Sequence, residues 1–353
     1  MPSPRDLVPI FEPRSIAVIG ASRQMGSVGY AVLDGLLNAG YSGVVYPVNP
    51  KARAIRGVRA YPNVKEVPDE IDLAVIIVPA PVVAQVLEEC GQKGVKGAVV
   101  ISAGFKETGP EGAALEAQVK AIAARYNIAL VGPNCLGVIN TAAEVRLNAS
   151  FAKAMPDAGH IAFISQSGAV CAAILDWSLH VNVGFSAFVS FGSMVDVDWP
   201  DLIYYLGNDR NTKSIVLYVQ TIGAARSFLS AVREVAMTKP IILIKPGRTD
   251  PAAEAAKATA YYTPSEACND EVFSAAIRRS GVLRVDDIES LFAMADVLGK
   301  QPRPRGPRLA IVSNAAGPGI LATDALIADG GELATLAPDS IAALDAFLPP
   351  YWN

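Results

Sequence analysis

Short apolar runs alternate with amphipathic stretches along almost the whole chain, and this alternation restricts the fold to parallel α/β architecture. IAVIG, GVVYPV, LAVIIV, GAVVIS and IALVG form a first series of strands, with helices expected at Pro81–Gly94 and Pro110–Tyr126. They predict a compact Rossmann-like domain over 1–140. HIAFIS, FSAFVSF, SIVLYVQ, PIILIK and GVLRV form a second α/β series over 159–300. Between the two, TAAEVRLNASFAKAMPDAG has no clean period and is expected to be a connector over 141–158. GKQPRPRGPR then reads as a linker, and RLAIVSNAAGPGILATDALIADGGELATL restarts a βαβ pattern over 307–353. Only about two strands of this third unit fall within the chain, too few for a core. The expectation is a truncated unit, or one that a partner completes.

Composition narrows the function classes. With 51% hydrophobic and 18% charged residues among 353, the chain suits a well-buried fold rather than a disordered one. The net charge is −4 and no Lys/Arg cluster occurs, which argues against nucleic acid as a partner. The longest apolar run, LAVIIVPAPVVAQVL, carries Pro79 and Pro81 and is shorter than the roughly 20 residues that cross a bilayer. MPSPRDLVPIFEPRS has no continuous apolar region of the signal-peptide kind. The four cysteines are scattered without a C-x-x-C pair, so neither a metal site nor a disulfide framework is expected, and a cytoplasmic location is.

The stretch SIAVIGASRQMGSVGYAVLDGLLNAG runs from a buried strand through a glycine turn into a helix, the form of a phosphate-binding βα unit. Its glycines, Gly20, Gly26 and Gly29, do not have the G-x-G-x-x-G spacing of dinucleotide sites. The loop Gly20-Ala21-Ser22-Arg23 offers backbone N–H groups and a hydroxyl at what is expected to be a helix start. The second strand ends in YPVNPK, with Asn49, Pro50 and Lys51 where an NAD site would place a carboxylate for the ribose. A cation there suits an additional ribose phosphate, as in NADP or coenzyme A. The later strand ends VIIVPAPVV, VVISAGFKETG and VGPNCLGVIN lack the acid/base pair of a dehydrogenase. A groove lined by small side chains and backbone suits a long flexible arm such as pantetheine.

SIAVIGAS, YPVNPK, VIIVPAP, ISAGFKETG and GPNCLGVIN together resemble the NDP-forming acyl-CoA synthetases. The succinyl-CoA synthetase α subunits are more distant relatives. The likeness continues through LNASFA, IAFISQSGAVCAAILDW, FVSFGSMVDVDWPDLIYYL and KPIILIKPGRT, and so covers nearly the whole chain. It implies a CoA-binding domain followed by flavodoxin-like ligase domains, with ATP, ADP and magnesium handled by an ATP-grasp partner outside this chain. Carried over by position, Gly20, Ala21 and Ser22 would hold CoA phosphates, and Asn49, Pro50 and Lys51 would flank the adenosine end. Val78, Pro79 and Ala80 would line the groove, Ser102, Ala103 and Gly104 the pantetheine path, and Pro133, Asn134 and Cys135 the thiol end. No base lies near Cys135 in sequence, which makes it wall rather than catalyst. Ser165, Ser167 and Gly168 cap a helix whose N-terminus would bind the travelling phosphate.

Two positions depart from the family pattern. The family carries phosphate on a histidine in a loop resembling SHTGSLAGSDEVYDAAF, ahead of a GVIRV strand. Aligning DEVF and GVLRV of this chain puts Tyr262 at the histidine, with Pro264 and Glu266 beyond it. The family's LYIE strand end supplies an orienting carboxylate, and this chain has LYVQ, ending in Gln220. His160 and His180 are read as structural. The expected function is therefore the CoA- or acyl-CoA-binding α-type module of an NDP-forming acyl-CoA synthetase without its phosphohistidine. The alternatives are a metabolite-sensing ligase-like module joined to an acetyltransferase domain absent from this chain and, less favoured, an NADP oxidoreductase. An intact ligase with a rerouted relay and a homo-oligomer are both compatible with the sequence.

Overall fold

A computed structural model describes residues 5–257, 270–302, 304 and 306–349. Residues 1–300 form one compact unit and 301–353 another.

In the first unit α1 (Val8–Phe11) leads into β1 (Ser15–Ile19), α2 (Val28–Asn38) and β2 (Val44–Val48). A two-stranded hairpin, β3 (Ala54–Ile55) and β4 (Val58–Arg59), follows. The chain continues through β5 (Leu73–Ile76), α3 (Ala80–Lys93), β6 (Gly97–Val100), α4 (Pro110–Tyr126) and β7 (Ala129–Val131). Five of these strands form a parallel sheet in the order β2-β1-β5-β6-β7. Helices cover a sheet of this type on both faces, so its strands are apolar at every position rather than at alternate ones. All four residues of β5 and all four of β6 are buried, which explains LAVI and GAVV.

Next come β8 (Gly137–Asn140), β9 (Leu147–Ser150), β10 (Ala158–Ser165), α5 (Gly168–Val181) and β11 (Phe185–Ser190). Then follow α6 (Trp199–Asn208), β12 (Ser214–Tyr218), α7 (Ala225–Ala236), β13 (Ile241–Ile244) and α8 (Asp250–Lys257). The described chain resumes with α9 (Asp270–Arg279), β14 (Leu283–Arg284) and α10 (Ile288–Lys300). These strands make a seven-stranded sheet in the order β14-β13-β12-β10-β11-β8-β9. Its five strands from β10 onward are parallel. Counted along the chain, the main strands of both sheets have the order 2-1-3-4-5 of a flavodoxin-like doubly wound fold. The two sheets share one hydrophobic cluster, to which Val18, Val75 and Val131 of the first and Ile164, Val189 and Leu217 of the second all belong.

The expected connector over 141–158 needs correction. Leu147–Ser150 is strand β9, antiparallel to β8, and β8 in turn is antiparallel to β11. The strand ending the first series is therefore β7, and residues 137–140 pair into the second sheet although the boundary was expected at 140. The LNAS segment is buried at all four positions, so no polar alternation marks it as a strand.

The second unit, taken by itself, has β15 (Arg308–Leu309) paired in parallel with β16 (Glu332–Leu333), and two helices, α11 (Ala316–Ala328) and α12 (Pro338–Asp345). No residue of α11 is buried, and Val312, Leu321 and Phe347 are 96%, 71% and 72% exposed. With so little apolar surface removed from water, amides of β15, β16 and α11 are expected to exchange before those of the first unit. Uniformly high protection at 307–349 in a proven monomer would contradict this.

Candidate functional site

In doubly wound sheets ligands bind beyond the carboxyl ends of the strands, where the strand order reverses. That point lies between β1 and β5 in the first sheet and between β10 and β12 in the second. Both open into one cleft of about 700 Å³. Gly20 and Ser22 enter it after β1, Val78 and Pro79 after β5, Ser102 and Ala103 after β6, and Asn134 and Cys135 after β7. The second sheet contributes Gln166, Ser167 and Gly168 after β10 and Gln220 after β12.

The glycine turn has a definite mechanical role. Gly20 has φ +97°, a left-handed conformation that disfavours side chains, and a Cβ on Gly29 would lie 2.1 Å from the Gly20 carbonyl oxygen. Helix α2 can therefore pack against the end of β1 only with glycine at position 29. The expected helix start at Gly20–Arg23 is too early, because α2 begins at Val28. Ser27 caps it, its Oγ accepting from Tyr30 N–H at 3.3 Å. Ser27, Val28 and Gly29 line the cleft, so this helix start brings its free N–H groups there. Sequence reasoning named Gly29 only within the glycine turn and missed Ser27 and Val28, although a serine ahead of a helical run is the signal that marks a cap.

A second helix start meets the first. Ser167 caps α5, its Oγ accepting from Val170 N–H at 3.3 Å, and Ser167, Gly168 and Ala169 line the cleft. Ser165 does not line it. Its hydroxyl accepts from Ser167 N–H at 3.0 Å and donates to the Ser167 carbonyl, so it shapes the loop. Gln166, also missed, is 2% exposed and clamps the neighbouring strand end. Its Oε1 accepts from the N–H groups of Gln220 at 2.7 Å and Thr221 at 2.9 Å, and its Nε2 donates to Thr221 Oγ1 at 2.9 Å. Gln220 is thereby fixed in the cleft wall, and its own Oε1 is buried without a hydrogen-bond partner.

The remaining expected residues divide clearly. Ala21 and Ala80 are buried behind the wall. Gly104 donates its N–H to Glu107 Oε1 at 2.6 Å, and the Pro133 carbonyl accepts from Ser193 N–H at 3.0 Å; neither residue lines the cleft. Asn49 braces two loops, donating from Nδ2 to the Ala21 carbonyl at 2.7 Å and accepting from Lys51 N–H at 2.8 Å. Pro50 and Lys51 are exposed and stand outside the lining. Tyr262, Pro264 and Glu266 lie outside the described residues. His160 and His180 are exposed, with their Nδ1 atoms against the carbonyls of Asn211 and Asp176, and neither lines the cleft.

The described lining of the cleft is chemically neutral. Among the described residues that line it there is no Asp, Glu, His, Lys or Arg. Cys135 is its one titratable group in that set, and burial pushes the thiol far above its ordinary value, with Cys171 adding to the effect. Its Sγ sits 3.3 Å from the Val100 carbonyl. A thiol held protonated is a poor nucleophile, which agrees with reading it as wall. Helix N-termini supply the attraction for anions, while amides, hydroxyls and apolar groups supply the rest. Among the described residues there is no cluster of metal-ligating side chains and no helix long and apolar enough to cross a membrane.

Two doubly wound sheets opening into one cleft make a two-domain α/β module, and its likeness to known proteins gives its class. Residues 14–141 match the CoA binding domain family and residues 158–298 the succinyl-CoA ligase like flavodoxin domain family. The chain is 45% identical over 344 residues to ADP-forming acetate–CoA ligase I of Archaeoglobus fulgidus, covering 98% of this chain and 49% of that protein. It is 44% identical over 340 residues to the α subunit of ADP-forming acetate–CoA ligase II of Pyrococcus furiosus, covering 96% and 73%. The solved acetyl-coenzyme A synthetase 1 of Ca. Korarchaeum cryptofilum, in complex with phosphate and ADP, superposes with a TM-score of 0.91 at 37% identity, covering 99% of this chain and 74% of that one. This chain belongs to the ADP-forming acetate–CoA ligase family. It spans about half the length of the first curated relatives it matches.

Proposed function

We propose that the chain is the α-type module of an ADP-forming acyl-CoA ligase, binding CoA or an acyl-CoA in the cleft between its sheets. In the family reaction an acid, CoA and ATP give an acyl-CoA, ADP and phosphate. The observation that carries the reading is the convergence of two helix N-termini, those of α2 and α5, on one neutral cleft. One helix start suits the CoA pyrophosphate and the other a transferring phosphate. Pro79, Ala103 and the backbone between them leave a small-residue path for pantetheine, and Gln220 Oε1 is an acceptor awaiting an N–H or O–H donor. A volume near 700 Å³ lies within the ordinary range for cofactor sites. ATP, ADP and magnesium would act through an ATP-grasp partner.

Tyr262 and Gln220, at the family's histidine and glutamate positions, support a module without its own phosphoryl carrier. Calorimetry is expected to show CoA binding and little NAD binding, and the reverse preference would overturn the reading. The Lys51 ammonium is exposed, with no partner among the described residues, and is the group offered to the ribose phosphate. A charge-assisted contact is typically worth about 1.5–3 kcal/mol. Lys51→Ala should therefore weaken CoA by roughly tenfold or more and dephospho-CoA much less. Equal losses would place Lys51 elsewhere.

A further inference from the structure

A second cavity, of about 420 Å³, opens at the β13–β14 edge of the second sheet and shares no lining residue with the first cleft. It too lies at the carboxyl ends of parallel strands: Arg248 follows β13 and Arg284 ends β14. Helix α9 presents Asp270, Ser274 and Arg278 at four-residue spacing, and hence on one face.

Three guanidinium groups and two carboxylates line this corner, and both carboxylates are already engaged. Asp270 Oδ1 pairs with Arg284 Nη2 at 2.6 Å, and Asp286 pairs with Arg248. Ser274 Oγ accepts from Arg284 Nη1. The Arg284 side chain is 12% exposed, its guanidinium lies 5.3 Å from the centre of the Phe273 ring, and its Nε is buried without a hydrogen-bond partner. Arg278 is exposed and has no carboxylate partner among the described residues. Among the described residues the corner thus has an excess positive charge, a guanidinium without a carboxylate partner and a buried donor lacking an acceptor, which is a costly arrangement if left unfilled.

We propose that this corner binds a phosphoryl oxyanion, either inorganic phosphate or the phosphate of a small phosphorylated metabolite. Arg278 and Arg248 grip it from the helix and the β13 loop, and Arg284 Nε donates from the floor. Guanidinium donors approaching from separate elements suit the tetrahedral oxygens of phosphate better than the flat edge of one carboxylate. The volume exceeds that of bare phosphate, which leaves room for an attached group.

Arginine Nε–H resonances of the full chain, titrated with inorganic phosphate and separately with ADP, both without magnesium, test this. The Arg284 signal is assigned by its loss in Arg284→Lys, or by its displacement in Asp270→Asn should that variant fold poorly. A saturable shift of the Arg284 signal is expected that persists with CoA present, whereas sodium chloride gives none. Arg278→Gln should weaken the midpoint at least tenfold. Tighter binding of ADP than of phosphate by more than tenfold assigns a nucleotide, and otherwise the ligand is free phosphate. No saturable shift with either probe, or an unchanged midpoint in Arg278→Gln, overturns the proposal, whatever CoA does in the first cleft.

Discussion

Incubated with CoA, an acyl phosphate and magnesium, the unmodified chain is expected to acquire no acid-labile, alkali-stable phosphate. Imidazole carries phosphate because its nitrogen is nucleophilic near neutral pH. Tyrosine, with a reference pKa of about 10, is a poor reversible carrier there. Gln220 can donate a hydrogen bond but brings no negative charge to steady a protonated or phosphorylated imidazole. The described cleft lining offers no substitute base, and both histidines of the sequence lie outside it. The double change Tyr262→His with Gln220→Glu should restore labelling, and each single change should give roughly a tenth of that signal or less, because nucleophile and orienting group act as a unit. Phosphohistidine at His160 or His180 in the unmodified chain would sink this reading and indicate a rerouted enzyme.

Gln166→Leu should destabilise the fold by about 2–5 kcal/mol, since it strands the N–H groups of Gln220 and Thr221, and an orphaned buried group costs roughly 1–3 kcal/mol. Both N–H groups point at one side-chain oxygen, at 2.7 and 2.9 Å. Gln166→Glu keeps an acceptor there but loses the Nε2 donor to Thr221 and buries a carboxyl, so it should destabilise the fold as well. Urea denaturation measures both, provided the slopes match that of the parent chain. A loss below about 0.5 kcal/mol for Gln166→Leu, the range of an ordinary surface change, would show that the clamp does not hold the strand end.

Much of this architecture is legible in the sequence because buried parallel strands must be apolar on both faces. IAVI, LAVI, GAVV and IILI announce themselves as continuous runs, and glycines and prolines punctuate them. The β8–β9 ribbon is not legible for a related reason. Its edge strand LNAS is short, half polar and wholly buried, its polar groups bonding internally, as when Ser150 Oγ donates to Asn148 Oδ1 at 2.6 Å. The strand-end loops supply much of the cleft lining, yet position alone does not separate lining from scaffold. Ser165 and Ser167 are two residues apart; one folds back on the loop and the other caps a helix into the cleft. Asn49 resembles a ligand group in sequence and is occupied by the Ala21 carbonyl. Gln166 hid between the two serines that drew attention, because a buried glutamine earns its place through long-range partners such as Thr221 that no local pattern reveals.

As proposed above, CoA lies across both sheets, with its phosphates at the start of α2 and its thiol end toward α5 and Gln220. Hydrogen exchange with and without saturating CoA reads this placement. Added protection is predicted in both groups of loops, at 20–29, 77–79 and 101–103 of the first sheet and at 166–169 and 220–221 of the second. Protection confined to one sheet, or an unchanged pattern at 20–29 despite measured CoA binding, would contradict it.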